Sequence, residues 1–241
     1  MSMKNLKSKS ETKICNKIIA FLIVVSMMLP LSGTFVQAAD YPRIYDDEMF
    51  IDAIAGNNVN ITYEIWPAYQ NEILNIKIYD SAGRVIKQAS QQFRNVYDTP
   101  FKFTVSWNTA GIAPGEYKVV AIMDFYTYYS WHTAPTSETT YITLYPKKQA
   151  VKSVKAQSGR KLKVKWKKDS QADGYQIQYS TNKNFNKELT TVTVSKNKTT
   201  QKLLTNLRKG KKYFVRVRSF KNDNGRIYGE WSKTKKSKTI R

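Results

Sequence analysis

The chain has 241 residues and is strongly basic, with 40 Lys and Arg against 18 Asp and Glu and a formal net charge of +22. It holds one Cys and one His, which excludes an internal disulfide and any metal site that needs two imidazoles. Asp46, Asp47 and Glu48 are adjacent, and this spacing fits neither an EF-hand loop nor a glycosidase pair set across a cleft. We therefore expect no enzyme activity, no catalytic residue, no metal site and no cofactor.

Residues 1–39 have the pattern of a cleaved secretory signal peptide. Five lysines precede an apolar run from Ile18 to Pro30, and Val36-Gln37-Ala38 fits a cleavage site, with cleavage after Ala39 as an alternative. A membrane anchor is the competing interpretation, but the run is short for a span, which needs about 20 residues. We expect an exported protein whose mature chain has no transmembrane segment and, because Cys15 leaves with the signal, no thiol.

Alternation of apolar and polar residues predicts a succession of short strands in residues 40–146. The predicted strands are 48–54, 58–65, 73–79, 84–91, 101–107, 116–125 and 137–145. Asp80-Ser-Ala-Gly83 is a turn between two of them, so that they form a hairpin. About seven strands in a segment of this length are typical of a β-sandwich.

Pro146-Lys-Lys-Gln149 is the predicted linker to a second set of strands. These strands are predicted at 162–166, 175–179, 189–194, 199–204, 213–218 and 227–240, with Asn222-Asp-Asn-Gly225 as a hairpin loop before the last of them. Leu207 and Gly210 precede Tyr213, which opens an alternating strand. This spacing is that of a tyrosine corner, in which the phenol hydroxyl bonds to backbone a few residues upstream.

The second half resembles a fibronectin type III domain over nearly all of residues 148–241. The residues that carry the resemblance are Trp166, the strand Tyr175 to Tyr179, the corner Leu207…Tyr213 and Tyr228-Gly-Glu-Trp-Ser232. Its hairpin loop reads Asn-Asp-Asn-Gly instead of Arg-Gly-Asp, so the resemblance does not imply integrin binding. In its lysine content the half is similar to copies found in secreted proteins of Gram-positive bacteria.

The first half resembles immunoglobulin-like modules of bacterial surface and flagellar hook-capping proteins. The resemblance rests on Ile78-Tyr-Asp-Ser-Ala-Gly-Arg-Val85, Trp107 and Gly115-Glu-Tyr117. Together the two resemblances imply an all-β fold of two tandem β-sandwiches. The expected domains are a signal peptide at 1–39, an immunoglobulin-like sandwich at 40–146 and a fibronectin type III domain at 147–241.

Net charge divides sharply along the chain. Residues 40–146 carry 7 Lys and Arg against 12 Asp and Glu, a net of −5, whereas residues 147–241 carry 28 against 5, a net of +23. Two alternating stripes of positive charge lie in the basic half, and their members are Lys161, Lys163, Lys165, Lys167, Arg216 and Arg218. Alternate side chains on one strand are about 7 Å apart, so we expect solvent-facing ladders, with the arginines beside the lysines, that suit a polyanion. A lysine-rich solubility coat is the alternative.

Residues 125–132 concentrate six rings in eight positions, more than one face of a strand can bury. If alternation runs through the segment, Phe125, Tyr129 and Trp131 lie on one face and Tyr126, Tyr128 and His132 on the other. Exposed rings of this kind stack on sugars or anchor protein interfaces. The candidate binding residues are Tyr126, Tyr128, Tyr129 and Trp131, joined by Trp66 and Tyr69 from a Trp-Pro-Ala-Tyr loop. Ordinary core and surface rings are the alternative.

These patterns predict a secreted, non-catalytic binding or adhesion protein of a bacterial cell surface or extracellular space. The basic half is expected to associate with an anionic cell-wall polymer or glycan, and the first half to contact a glycan or a protein. Nucleic acid is not an expected partner, because the chain is exported and carries no nucleic-acid-binding signature. Two alternatives remain: a structural spacer without a ligand, and an accessory carbohydrate-binding subunit of a polysaccharide-degrading system, which would bind polysaccharide through residues 40–146 alone.

Overall fold

The computed structural model describes residues 42–95, 99–127 and 130–241, without the side chains of residues 135 and 136. The predicted signal peptide, residues 1–39, lies outside the described residues. Within those ranges all regular structure is β-strand, which confirms the all-β fold class. The described residues accordingly contain no helix that is long and apolar enough to cross a membrane.

Residues 43–145 form two sheets that enclose one hydrophobic core. The strands are β1 (Arg43–Asp46), β2 (Phe50–Ile54), β3 (Asn58–Trp66), β4 (Asn71–Asp80), β5 (Val85–Arg94), β6 (Phe101–Asn108), β7 (Gly115–Thr127) and β8 (Ser130–Tyr145). One sheet has the order β1-β3-β6 and the other the order β2-β8-β7-β4-β5. Neighbouring strands are antiparallel except β2 and β8, which are parallel.

The period-2 alternation of this half decides which side chains enter the core. On β3 and β4 every second residue is buried, as the sequence predicted. Trp107 of β6 packs edge-on against Tyr117 of β7, with ring centroids 5.2 Å apart. The Tyr117 hydroxyl donates a hydrogen bond to the Ala113 carbonyl oxygen at 2.7 Å, so this sandwich has a tyrosine corner of its own.

Residues 151–236 repeat the arrangement with a three-stranded and a five-stranded sheet. The strands are β9 (Val151–Gln157), β10 (Lys161–Trp166), β11 (Gly174–Ser180), β12 (Thr190–Val194), β13 (Gln201–Leu204), β14 (Phe214–Asn222), β15 (Arg226–Tyr228) and β16 (Lys235–Lys236). The orders are β13-β10-β9 and β12-β11-β14-β15, with β16 also paired to β14. The core of this half runs from Val151 to Ile240 and that of the first half from Ile44 to Leu144. The predicted domain limits fall between the two cores and stay predictions.

The tyrosine corner predicted at Tyr213 is confirmed. The backbone N–H of Arg208 donates to the Tyr213 hydroxyl at 3.1 Å, and the Tyr213 side chain is buried. Leu207, three residues beyond the end of β13 in the connecting turn, is buried in the same core. The corner therefore fixes the turn between β13 and β14 against the inside of the sandwich.

The prediction of one continuous last strand over residues 227–240 is wrong. Within this segment only β15 and β16 are strands, both paired with β14. Residues 229–234 between them belong to no strand, although the Gly229 and Ser232 N–H groups still donate to the Ser219 and Val217 carbonyl oxygens at 3.0 and 2.8 Å. At Ser232 and Ser237 a side-chain hydroxyl takes the place of the backbone carbonyl as acceptor, while the backbone N–H still donates. The Ser232 Oγ accepts from the Val217 N–H at 3.0 Å and the Ser237 Oγ accepts from the Tyr213 N–H at 2.9 Å. The interruption lets Trp231 lie across the outer face of β14.

Candidate polyanion-binding and aromatic surfaces

Four lysines share the outer face of the β9-β10-β13 sheet, and we call them the lysine face: Lys155, Lys161, Lys163 and Lys165. On β10 they alternate with Leu162, Val164 and Trp166, all fully buried. Lys163 lies directly opposite Lys155 of β9. Like charges placed opposite each other destabilise a sheet, so stability does not account for this arrangement. Lys167, also predicted, is exposed just beyond the end of β10.

Among the described residues, no acidic side chain forms an ion pair with the lysine face. All five acidic residues of 147–241 are bonded elsewhere, and the structure describes every residue of this half. Their partners are the Gln171 N–H for Asp169 at 3.1 Å, Lys221 for Asp173 at 2.9 Å, Arg208 for Glu188, the Glu116 N–H for Asp223 at 2.6 Å and Lys148 for Glu230 at 2.7 Å. The sheet neighbours that pair with the lysine face from β9 and β13 include Ser153, Gln157 and Gln201, which are uncharged.

Arg216 and Arg218 do not lie beside these lysines, which corrects the expectation of one joint basic surface. They belong to β14, in the other sheet of the sandwich, whose outer face points the opposite way. Each is partly buried and donates two hydrogen bonds to one glutamine of β11: Arg216 to Gln178 at 2.9 and 2.6 Å, and Arg218 to Gln176 at 2.9 and 2.7 Å.

Three aromatic rings complete what we call the arginine ladder. Trp231 lies between the two guanidinium groups, with its ring centroid 4.6 Å from the Cζ of Arg216 and 4.4 Å from that of Arg218. The outer positions are taken by Phe185, 4.3 Å from Arg216, and Tyr228, 3.8 Å from Arg218. Burial lowers the pKa of Arg218 to about 10, which leaves it charged at neutral pH. Through these contacts the two arginines hold the segment around Trp231 against β14.

The aromatic segment is a hairpin and not one strand, so the predicted division of its rings is wrong. Thr127 pairs with Ser130, which places Tyr126 opposite Trp131 and Phe125 opposite His132. Directly opposed residues share a face. Tyr126 and Trp131 are therefore together on the outer face, 38% and 47% exposed, with centroids 5.4 Å apart in an edge-on arrangement. Tyr128 and Tyr129, the other two candidates, lie outside the described residues.

Trp66 and Tyr69 do not join this pair. Trp66 is 46% exposed at the end of β3, in the three-stranded sheet, and its indole N–H donates to Glu64 at 2.7 Å. Tyr69 instead packs against the core and stacks on the inward-facing Phe125, with centroids 4.7 Å apart. The four candidate rings that the structure describes thus supply one exposed pair, one separate exposed Trp and one interior ring.

A buried carboxylate that the sequence did not single out holds the loop between these two rings. Glu72 is fully buried, and its Oε1 accepts from the backbone N–H groups of Ala68 at 2.7 Å and Tyr69 at 2.8 Å. Burial raises the pKa of Glu72. The carboxyl therefore serves as a cap for the loop and lies inside, away from the exposed surface.

The acidic residues near the start of the described chain are held apart from one another. Asp46 accepts from the Thr140 hydroxyl at 2.9 Å, and Asp47 pairs with Lys102 at 2.8 Å. Among residues 42–95, 99–127 and 130–241, no three His, Cys, Asp or Glu side chains lie close enough together to hold a metal ion.

Comparison with known proteins defines the class of the second half. Residues 149–235 match the family model of the fibronectin type III domain, which confirms the resemblance found in the sequence. Domains of this family are commonly non-catalytic modules that bind or space. The whole chain matches no curated protein.

Two solved structures illustrate the similarity. A two-domain fibronectin type III segment of chicken tenascin is 13% identical, with a TM-score of 0.49, and the match covers 80% of this chain and 95% of that one. The FN1–FN3 domains of chicken CNTN1 are 17% identical, with a TM-score of 0.36, over 83% of this chain and 66% of that one.

Proposed function

We propose that this is an exported, non-catalytic binding protein whose lysine face holds an anionic polymer of the bacterial cell surface. The observation that carries the proposal is the pairing of Lys155 with Lys163 on a face with which no described carboxylate forms an ion pair. A protein gains nothing in stability from opposed like charges. A polyanion laid across the face would remove the repulsion and release its own counterions.

A salt series with purified cell walls tests this proposal. Log affinity should fall with log salt, and replacing Lys161, Lys163 and Lys165 by Gln should make this slope shallower by about 2. In nucleic acids each lost phosphate contact removes roughly 0.7–0.9 of the slope. The measurement is pull-down of the full chain on walls with and without teichoic acid.

The matched control changes the same charge elsewhere. Lys196, Lys198 and Lys233 are exposed and lie outside the lysine face, so their triple replacement by Gln should leave most of the slope in place. Equal losses in the two triple variants would mean that the domain is only a general cationic coat. Unchanged binding by both would favour a spacer without an anionic ligand.

A second contact is favoured by the exposed pair of Tyr126 and Trp131 at the end of the β7–β8 hairpin. Two amphipathic rings in edge contact offer a surface for a sugar ring or a protein side chain. Trp131→Ala should weaken whole-cell or glycan-array binding by about tenfold, because truncating an anchoring Trp typically costs more than 1 kcal/mol. Trp66→Ala removes an equally exposed Trp from the other sheet and should not weaken it. If both variants bind as the unaltered protein does, the aromatic pair has no part in recognition.

A further inference from the structure

A second basic region lies away from the lysine face, where three segments meet beside the C-terminal residues. The loop between β11 and β12, the turn between β13 and β14, and β16 together form a cleft of about 570 Å³. The turn is fixed there by the end of the chain, since the Gly210 N–H donates to the Ile240 carbonyl and the Ile240 N–H to the Lys211 carbonyl, both at 2.9 Å. We call this region the basic cleft.

Five cationic side chains and one carboxylate line the basic cleft: Lys187, Arg208, Lys211, Lys212, Lys236 and Glu188. Arg208 is paired with Glu188, whose other oxygen accepts from the Thr181 hydroxyl. Within the fully described second half, no ion pair engages the four lysines. The amine of Lys236 lies 5.4 Å from the ring centroid of Phe214, which lines the same cleft.

The cleft already stabilises one anion of its own. Hydrogen bonds from Thr181 and Arg208, and the nearby charge of Lys211, lower the pKa of the Glu188 carboxyl. A single carboxylate leaves four of the five positive charges without a counter-charge, so the site suits a ligand that brings more negative charge. Lysines are compact point charges that suit phosphate oxygens, and the open cleft has room for more than one inorganic phosphate.

We propose that the basic cleft binds a phosphodiester-linked polyol, with a phosphate group among the lysines in the place where Glu188 now neutralises Arg208. The ligand chemistry is glycerol phosphate, which occurs both in wall polymers and in lipid headgroups. The site goes beyond the lysine face because it is built from other residues on other segments. Glu188 acts in it as an internal competitor for the ligand.

Removal of that competitor gives the sharpest test. Glu188→Gln keeps the size of the side chain and should tighten binding of a synthetic glycerol phosphate trimer to the full chain by about threefold to fivefold, the range of an exposed ion pair. Glu230→Gln, the control, removes the same charge from an exposed pair with Lys148 and should change affinity by less than about twofold. Titration calorimetry at fixed ionic strength measures both. Equal effects of the two variants would overturn the proposal.

Removing lysines of the basic cleft should have the opposite effect on binding. Lys211→Gln together with Lys212→Gln should weaken trimer binding by about tenfold, as two unit charges are lost near the ligand, while the pair Lys196→Gln and Lys198→Gln serves as control. Loss in both pairs alike would also overturn the site. A parallel titration with vesicles of phosphatidylglycerol in phosphatidylcholine identifies the source of the ligand. A Glu188→Gln gain with the trimer alone points to a wall polymer, and a gain with the vesicles points to a lipid headgroup. The lysine-face triple variant should still bind the trimer, which separates failure of this site from failure of the proposed function.

Discussion

Replacing Gly174 by Ala is expected to destabilise the second sandwich by about 3 kcal/mol or to prevent its folding, the upper range for overpacking. A Cβ at this position would lie 2.2 Å from the Val194 carbonyl oxygen and 2.6 Å from the Phe220 ring. The carbonyl belongs to β12, whose ladder with β11 passes through the adjacent pair of Tyr175 and Val194. The backbone therefore cannot move aside without breaking the edge of the sheet. Urea denaturation of the variant measures the loss.

Gly210→Ala provides the comparison. Gly210 has a φ of +79°, and a Cβ there would have no atom within 4 Å, so its cost is only the left-handed backbone, about 1 kcal/mol. The difference in unfolding free energy between the two variants separates the cost of the steric clash from the cost of the backbone conformation. If Gly210→Ala costs as much as Gly174→Ala, the close approach of β12 to β11 is not what requires a glycine.

Replacing Trp231 by Ala is expected to destabilise the second sandwich by about 2–4 kcal/mol, from lost burial and two lost cation–π contacts. Arg216 and Arg218 would both lose the ring between them while remaining partly buried on β14. Thermal and urea denaturation measure the change, and Trp131→Ala is the matched control, because Trp131 is half exposed and should cost far less stability.

Binding separates this structural role from a role in recognition. Without urea, and at a temperature at which the Trp231→Ala variant is folded, its affinity for cell walls should depend on salt as that of the unaltered protein does. The reason is that the lysine face lies on the opposite sheet. A slope reduced as far as in the lysine triple variant would show instead that the arginine ladder contacts the polymer. The two variants thus assign the two positively charged surfaces independently.

Alternation made most strands of both halves readable in advance, although β1 and β9 were not predicted. The lysines of β10 and the valines of β14 occupy the faces that a period of two assigns to them, because a side chain on a strand can point only to one face or the other. The corner at Tyr213 was readable for a similar reason, since its partners are a few residues away in sequence. The role of Lys155 was missed because β9 was not predicted as a strand, and nothing local indicates that it lies in register with β10.

Errors arose where alternation is interrupted. The antiparallel pairing of Thr127 with Ser130 resets the pattern, so Trp131 joins Tyr126 and not Phe125. The last strand breaks at Gly229, where a Cβ would lie 2.6 Å from the Pro146 carbonyl oxygen, and Trp231 then reaches the arginines. Glu72 gave no signal at all, because its cap function depends on a loop that closes onto it.

The sequence alone determined the all-β class, the fibronectin type III character of the second half, the partition of charge along the chain and, where alternation is uninterrupted, the face on which a strand residue lies. These properties are local or additive, so they follow from spacing and composition. Only the tertiary structure decided which charged strands share a surface. Arg216 and Arg218 lie on the face opposite the lysines because β14 and β10 belong to different sheets. The basic cleft forms where three segments distant in sequence meet. Such proximity is set by strand order and packing, which a linear pattern does not encode.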